Sequence, residues 1–466
     1  MDMSVEFILF FVLGLIVLSA LFLLKNPKRF ILALIIVMAG WQGGYWFSFL
    51  QIDLLFSHIL IIILFIYSLL SPSKLRIRDR FAIPLLIPMG GIIVCAIIAA
   101  FRAVNQGPAF GGVFTLVSDC LLIVCIISTI EKPRDVVFLL NSLLVTLCFQ
   151  IIITLLQYRM VGFRIGIIDE EFSHLQWWRM HGTFVHPNQF GMFLMFVLPF
   201  VFRYLVIVAS NKKRKLTIVT IIIFLLGGFA LYTTQNRGSQ IALVIGLFIT
   251  FAIDIFRKKM RIRKILVKIS VVLFILICVA MIRYGNRIYY QYFMQRSNIY
   301  SQMEGRSSLN QEAIPRIKAS LPFGIGMNNY ESIIYPGYTV HNLYLLVVAE
   351  IGIGIVFFVW VLFYLIYKSI KLMRIQNIIL ANLGSACLAT LIGFFISSWV
   401  GPDWFSANQV RMNFWIVMGI VVGTEKLWNR LENQNRLLQR KKMQEHKENS
   451  YRPIIKNGQQ NNVDRS

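Results

Sequence analysis

Charge is what this sequence has least of: only 14% of its 466 residues are Asp, Glu, Lys or Arg, and the acids number 21. A soluble domain averages about 25% charged residues, so the chain as a whole does not read as one. It has no glycine-rich phosphate loop, no His-Glu-x-x-His and no Asp-x-Asp-type metal site, and the chemistries those motifs support lose their footing. The six cysteines (Cys95, Cys120, Cys125, Cys148, Cys278 and Cys387) all fall in apolar runs, and no pair has metal-ligand spacing beside a histidine. Neither a disulfide nor a bound metal is expected from them. No positively charged segment precedes the first apolar run, which therefore reads as a retained helix rather than a cleaved signal.

What is present is hydrocarbon. Hydrophobic residues make up 57% of the chain, and the mean hydropathy is +0.69. Apolar runs long enough to cross about 30 Å of bilayer recur throughout. They lie near 5–24, 30–47, 52–70, 82–101, 111–130, 136–156, 188–209, 216–234, 239–256, 264–282, 341–367, 376–398 and 411–427. Backbone groups in lipid must be satisfied within their own segment, so these runs are expected to be helices. The fold class is all-α: a polytopic membrane bundle of about 12–13 helices. Residues 1–428 form the membrane domain, with one long polar loop at 283–340. Residues 429–466 read as a basic tail whose start extends the last helix and whose remainder is disordered.

The formal net charge of +25 would suggest nucleic acid in a soluble protein, but its placement argues otherwise. Of the 46 basic residues, 33 sit in one set of alternate loops, including Lys74 to Arg80, Lys212 to Lys215 and Arg257 to Lys268. That set is expected to be cytoplasmic, with the long loop on the outer side and no nucleic-acid partner. The outer set is nearly all arginine: Arg102, Arg159, Arg164, Arg179, Arg237, Arg283, Arg287, Arg296, Arg306, Arg316 and Arg411, with Lys318 the one lysine. Two readings stand. Lysine is simply preferred as the cytoplasmic topology signal, or the outer arginines grip phosphate or carboxylate with their planar forks.

Several outer segments are candidates for chemistry. Gly182-Thr183-Phe184-Val185-His186-Pro187-Asn188 leads into a span, preceded by the Trp177-Trp178 pair, an interfacial anchor. Arg237, in Asn236-Arg237-Gly238, sits at a helix N-terminus, where the dipole already favours an anion; the bland reading is a snorkelling side chain. Ser308-x-x-Gln311 predicts a capping box that opens a short helix beside Arg306, with Pro315 limiting or kinking it. Tyr289, Tyr290, Tyr292, Tyr300 and Tyr330 offer flat faces for sugar rings or for packing. His341 opens the next span and is either a cap or a base. Glu350 lies nine residues on, about 900° of helix rotation, which puts it on the opposite face. Glu350 and Asp119 are intramembrane acids, hence functional candidates or halves of structural pairs.

These motifs, in this order, resemble the O-antigen ligase and polymerase superfamily. The resemblance covers roughly 180–360: Gly182-Thr183-Phe184…Pro187-Asn188, Asn236-Arg237-Gly238, Arg306 with Leu321-Pro322-Phe323-Gly324-Ile325-Gly326, then His341-Asn342-x-x-Leu345 and Glu350-x-Gly352. His186 stands where that family commonly has Asn or a small residue, and thirteen spans is one above its usual twelve.

The resemblance implies a metal-independent, inverting glycosyltransferase of the bacterial cytoplasmic membrane, similar in fold to the GT-C class and active on its outer face. It needs no cofactor. Its implied donor is a glycan on undecaprenyl diphosphate entering from membrane lipid, and its implied partners are other polysaccharide-assembly proteins. It implies that Arg237, Arg306 and His341 are catalytic. Asn188, His186, Asn342, Tyr344, Arg296 and Glu350 are expected around them as substrate-binding residues. The expected reaction is polymerisation of lipid-linked repeats into capsule, exopolysaccharide, O-antigen or a teichuronic-type polymer. Ligation of the glycan to a lipid, wall or protein acceptor is the alternative. A lipid-sugar flippase is disfavoured because the polar residues gather at one surface rather than at mid-bilayer.

Overall fold

The computed structural model describes residues 26–41, 47–49, 52–54, 56–70, 83–159, 179–257, 267, 299–330, 340–401 and 407–460. The expected spans at 5–24 and 264–282, the Trp177-Trp178 pair and Arg296 lie outside them.

The chain is a helical membrane bundle. In chain order its helices are α1 (Pro27–Ala39), α2 (Phe56–Leu70), α3 (Ile83–Arg102), α4 (Gln106–Thr129), α5 (Pro133–Arg159), α6 (Pro187–Ser210) and α7 (Arg214–Thr233). There follow α8 (Arg237–Arg257), α9 (Ile299–Ser320), α10 (Leu343–Ile351), α11 (Gly354–Met373), α12 (Ile378–Ser397) and α13 (Asn408–Gln460). Eight helices among the described residues, α3 to α8, α11 and α12, are long and apolar enough to cross a bilayer. Between α1 and α2 the chain departs from helix: β1 (Phe47–Phe49) and β2 (Ile52–Leu54) pair antiparallel, with Phe47 opposite Leu54. This hairpin cuts short the helices expected at 30–47 and 52–70.

Burial sorts the helices into inner and outer. Of the apolar stretch of α6, 83% is buried inside the bundle, against 28% for α7. The inner helices α6 and α12 pack on each other, and α8 and α11 flank α12. Phe196, Phe394 and Phe414 from α6, α12 and α13 pack together, tilted or edge-on, with ring centroids 4.7 to 6.3 Å apart.

Several charged groups inside the bundle are paired, as a low-dielectric interior favours. Asp119 of α4 meets Arg411 of α13, whose second nitrogen donates to Asn408 Oδ1 at 2.8 Å. Arg203 of α6 meets Asp254 of α8, and Ser385 of α12 donates to the same carboxylate at 3.3 Å. Glu425 takes Lys368 at 2.8 Å and Lys371 at 3.0 Å, which fastens α13 to α11. Of the two readings of Asp119, the pairing is what the fold uses.

Three elements differ from expectation. The helix predicted to open at Ser308 already begins at Ile299, so Arg306 lies in its second turn rather than beside its N-terminus. Pro315 sits inside α9 without ending it; proline forfeits one backbone hydrogen bond, and the turns on either side carry the helix through. The span expected at 341–367 is two helices, α10 and α11, broken at Gly352. Finally, α13 continues as helix to Gln460, through the stretch expected to become a disordered tail.

The described helices alternate in direction, so the starts of α4, α6, α8 and α10 and the ends of α3, α5, α7 and α12 gather at one end, here termed the site end. From α9 the expected order is a crossing by α10 with α11, a return by α12 and a further crossing by α13, of which α11 and α12 are among the helices long and apolar enough to span. Cysteines introduced at Ser301 and Ser450 should therefore label from opposite sides with a membrane-impermeant thiol reagent. Labelling of both in intact cells would mean that α13 does not cross.

Candidate functional site

The loop before α6 is bolted to α5 by two buried glutamines seven residues apart on one helix face. Gln150 Oε1 accepts from Thr183 N at 3.1 Å, and its Nε2 donates to Thr183 Oγ1 at 2.7 Å and to the Gly40 carbonyl. Gln157 accepts from Gly182 N at 3.0 Å and donates to Gly182 O at 2.7 Å. Gly182 has φ +59, and a Cβ there would sit 2.4 Å from Gln150 Oε1, so only glycine fits between the loop and its bolt. Each such bond left unmade in a buried setting costs about 1–3 kcal/mol.

The same loop is tied to the hairpin between α7 and α8. Buried Arg179 donates to Thr234 O at 2.8 Å and to Asn188 Oδ1 at 2.7 Å. Asn236 Nδ2 donates to Asn188 O at 3.0 Å, while its Oδ1 accepts from Ser239 N at 3.1 Å and caps α8. Arg237 is the first residue of that helix. Asn188 thus holds Arg179 with its side chain and Asn236 with its backbone, and it fixes where Arg237 starts.

His186 caps α6: Asn188 N donates to its Nδ1 at 3.0 Å. Burial, followed by the charges of Arg179, His181 and His341, pushes the His186 imidazole down to about 3. It is therefore neutral near pH 7, with the acceptor at Nδ1 and the proton at Nε2. His181 turns its Nδ1 to Phe184 O at 2.7 Å.

His341 reaches the same place from the other side of the bundle. Asn342 caps α10, its Oδ1 accepting from Tyr344 N at 2.9 Å and Leu345 N at 3.2 Å. Leu343 N donates to Ser398 O at 2.9 Å, which pins the start of α10 to the turn after α12. Val400 of that turn lies 3.2 Å from where a Cβ on Gly238 would be, so one turn touches both the His341 and the Arg237 segments. Tyr344 packs on Phe395 and Trp399 at 5.8 and 5.4 Å, and its hydroxyl donates to Phe395 O at 3.3 Å. The amino ends of α6, α8 and α10 converge with Arg179, His186, Arg237 and His341, making a positive and hydrogen-donating site.

Two of the sequence motifs prove to be one latch. Gly326 N donates to Glu350 O at 2.9 Å, Ile325 N to Ala349 O at 3.0 Å, and Ile353 N to Pro322 O at 2.8 Å. Tyr330 N donates to the Glu350 carboxylate at 3.2 Å. At Gly352, with φ +54, a Cβ would fall 2.0 Å from Pro322 O, so the helix must break there on a glycine. Leu321–Gly326 and Glu350–Gly352 are thus two sides of the contact that returns the polar loop to α10. Glu350, expected near substrate, is buried with its carboxylate turned to the loop. Arg306 is carried on α9, which leads into this latch.

Arg179 reads in the sequence only as one outer arginine, and Gln150 and Gln157 as two polar residues of an apolar span. The signal was available: two amides at i and i+7 inside an apolar span share one helix face.

Residues 222–361 match the family model described as O-antigen ligase. The matched region holds Arg237, Arg306, His341 and Glu350, and it bears out the superfamily resemblance read from the motifs. No curated protein matches the chain.

Proposed function

We propose, from the O-antigen ligase family match and the convergence at the site end, that this chain is a membrane glycosyltransferase lengthening a polyprenyl-diphosphate-linked glycan. The match supports ligase- or polymerase-type transfer in general. The observation that carries the reading is that Arg237 opens α8, His341 precedes the cap of α10, and both segments touch one turn, 398–400. Arg237, with Arg306 from the polar loop, would hold the diphosphate as charge grows on the leaving group. His341 would take the proton of the attacking sugar hydroxyl. The hydroxyl oxygen forms the new glycosidic bond from the side opposite the diphosphate, inverting the anomeric carbon, and the diphosphate leaves with the bonding electrons.

The neighbouring His186 is consistent with that assignment. A group held to about 3, as His186 is, is too weak a base to accept a proton near neutral pH. His186, Asn188, Asn342 and Tyr344 would shape the site around the reacting groups. The site would face the outer side of the bacterial cytoplasmic membrane, because the basic turn at Lys212–Arg214 and the basic end of α11 at Lys368–Arg374 lie at the opposite end.

Purified protein in nanodiscs, given a polyprenyl-diphosphate oligosaccharide alone, should release polyprenyl diphosphate and yield products in multiples of the repeat. Transfer only to an added non-prenyl acceptor would make it a ligase, and release of neither product would overturn the transferase reading. Among the described residues no three His, Cys, Asp or Glu come together to hold a metal. The reaction is accordingly expected to survive EDTA and a thiol reductant. Loss with EDTA and recovery with a divalent ion would overturn metal independence.

A further inference from the structure

Away from the site end, α5, α6 and α12 bound a narrow crevice of about 50 Å³. Its wall is mostly buried apolar side chain, including Leu143 of α5, Val197 and Phe200 of α6, and Leu383 and Ala386 of α12. The lining follows α6 from Val197 to Ile207, about 15 Å of helix axis. That is half of a hydrocarbon core about 30 Å thick, the depth of one leaflet. Compact small-molecule pockets run to roughly 300–1,000 Å³, so this space is a slot for a chain rather than a pocket for a ring.

The slot meets charge at one end and holds charge in its wall. Ile207 lies one turn before the end of α6, and the chain then enters the exposed basic turn Lys212, Lys213 and Arg214. Within the wall, Arg203 is only 1% exposed. Its Nη1 donates to Asp254, and its Cζ lies 5.5 Å from the Phe202 ring centroid. Its Nε and Nη2 are buried and have no hydrogen-bond acceptor among the described residues. N–H groups left unmatched in a low-dielectric interior are costly, and a ligand oxygen entering the slot beside them would relieve that cost.

We infer that this slot takes one acyl chain of an acidic phospholipid from the leaflet opposite the site end, with the head group on the basic turn 212–214. Apolar walls one leaflet deep suit the chain. Three exposed cations at the slot's end favour a head group of net negative charge over a zwitterion. Arg203 offers its unmatched edge to the ester oxygens that join head group and chain. The lipid would also complete the packing of α5. That helix is bolted to the loop before α6 by Gln150 and Gln157 toward the site end, and the slot separates the same helices toward the other end. None of this rests on the transferase reading.

The test is native mass spectrometry of the full-length protein, delipidated in detergent and titrated with lipid. The probes are dioleoylphosphatidylglycerol, dioleoylphosphatidylcholine and glycerol 3-phosphate. Phosphatidylglycerol should fill one saturable site. Phosphatidylcholine should bind at least about tenfold more weakly, the scale of one lost charge-assisted contact, and glycerol 3-phosphate more weakly still. K212Q/K213Q/R214Q should bring phosphatidylglycerol down to the phosphatidylcholine level. N141W/I379W changes two exposed positions that line the slot, so it should fold normally yet weaken both phospholipids about tenfold. R203K leaves a charge beside Asp254 but removes the free edge, and it should weaken both as well. Phosphatidylglycerol held at full strength by N141W/I379W or by folded R203K overturns the slot. Equal binding of the two phospholipids overturns the acidic head group, and glycerol 3-phosphate binding as tightly as phosphatidylglycerol overturns the acyl chain.

Discussion

His341→Ala should abolish lengthening of the lipid-linked glycan while the protein accumulates in the membrane at its normal level. A positioned base contributes roughly 10²–10⁴-fold in rate, so polymer should fall below detection in a complemented null strain. Folding should be spared, because the turn has its own cap and backbone bonds. Asn342 caps α10 through Tyr344 N and Leu345 N, and Leu343 N is held by Ser398 O. His341→Gln keeps a hydrogen-bonding side chain of similar reach but cannot take up a proton near pH 7, and it should be as inactive as the alanine variant. Loss of protein along with activity would make His341 a structural residue. Full-length polymer from either variant would remove it from the chemistry. His186→Ala is a useful contrast: it deletes the α6 cap, and its expected defect is in folding yield rather than in proton transfer.

What could be read in the sequence was whatever depends on neighbours along the chain. The runs at 82–101, 188–209 and 376–398 coincide with α3, α6 and α12 to within about two residues, because hydropathy over a bilayer's length is a local signal. Placing Arg237 at a helix start was equally local. The misplaced start of α9 shows the limit. Ser308-x-x-Gln311 satisfies the capping pattern, yet the helix is already under way from Ile299, and a capping motif inside a helix is just a polar turn. Pairings distant in sequence left no local trace: Arg203 with Asp254, Gln150 with Thr183 and Glu350 with Tyr330 become partners only when the helices pack. Glu350 is the instructive case. Helical rotation alone separated it from His341, but only the fold gives it a task, in holding the loop that returns from α9.

Arg237→Lys should lower transfer by about 10²-fold, the scale seen when one preorganised donor to a developing anion is lost. The substitution keeps the charge and nearly the length, so a diffuse positive field at the start of α8 would survive it. The fork would not: an ammonium is a point donor and cannot present two parallel N–H groups to one phosphate. The backbone should tolerate the change, since α8 is capped by Asn236 through Ser239 N and the hairpin is held by Asn188 and Arg179. Arg306→Lys should be impaired to a similar degree, although its position in the second turn of α9 takes away any help from a helix dipole and leaves its own guanidinium as the source of charge. Because the interaction proposed strengthens as the diphosphate departs, the loss should appear in kcat more than in KM for the lipid-linked donor. If lysine supports near-normal kcat at both positions, the two arginines supply only field or an interfacial anchor. The diphosphate would then have to be held by the converging amino ends of α6, α8 and α10.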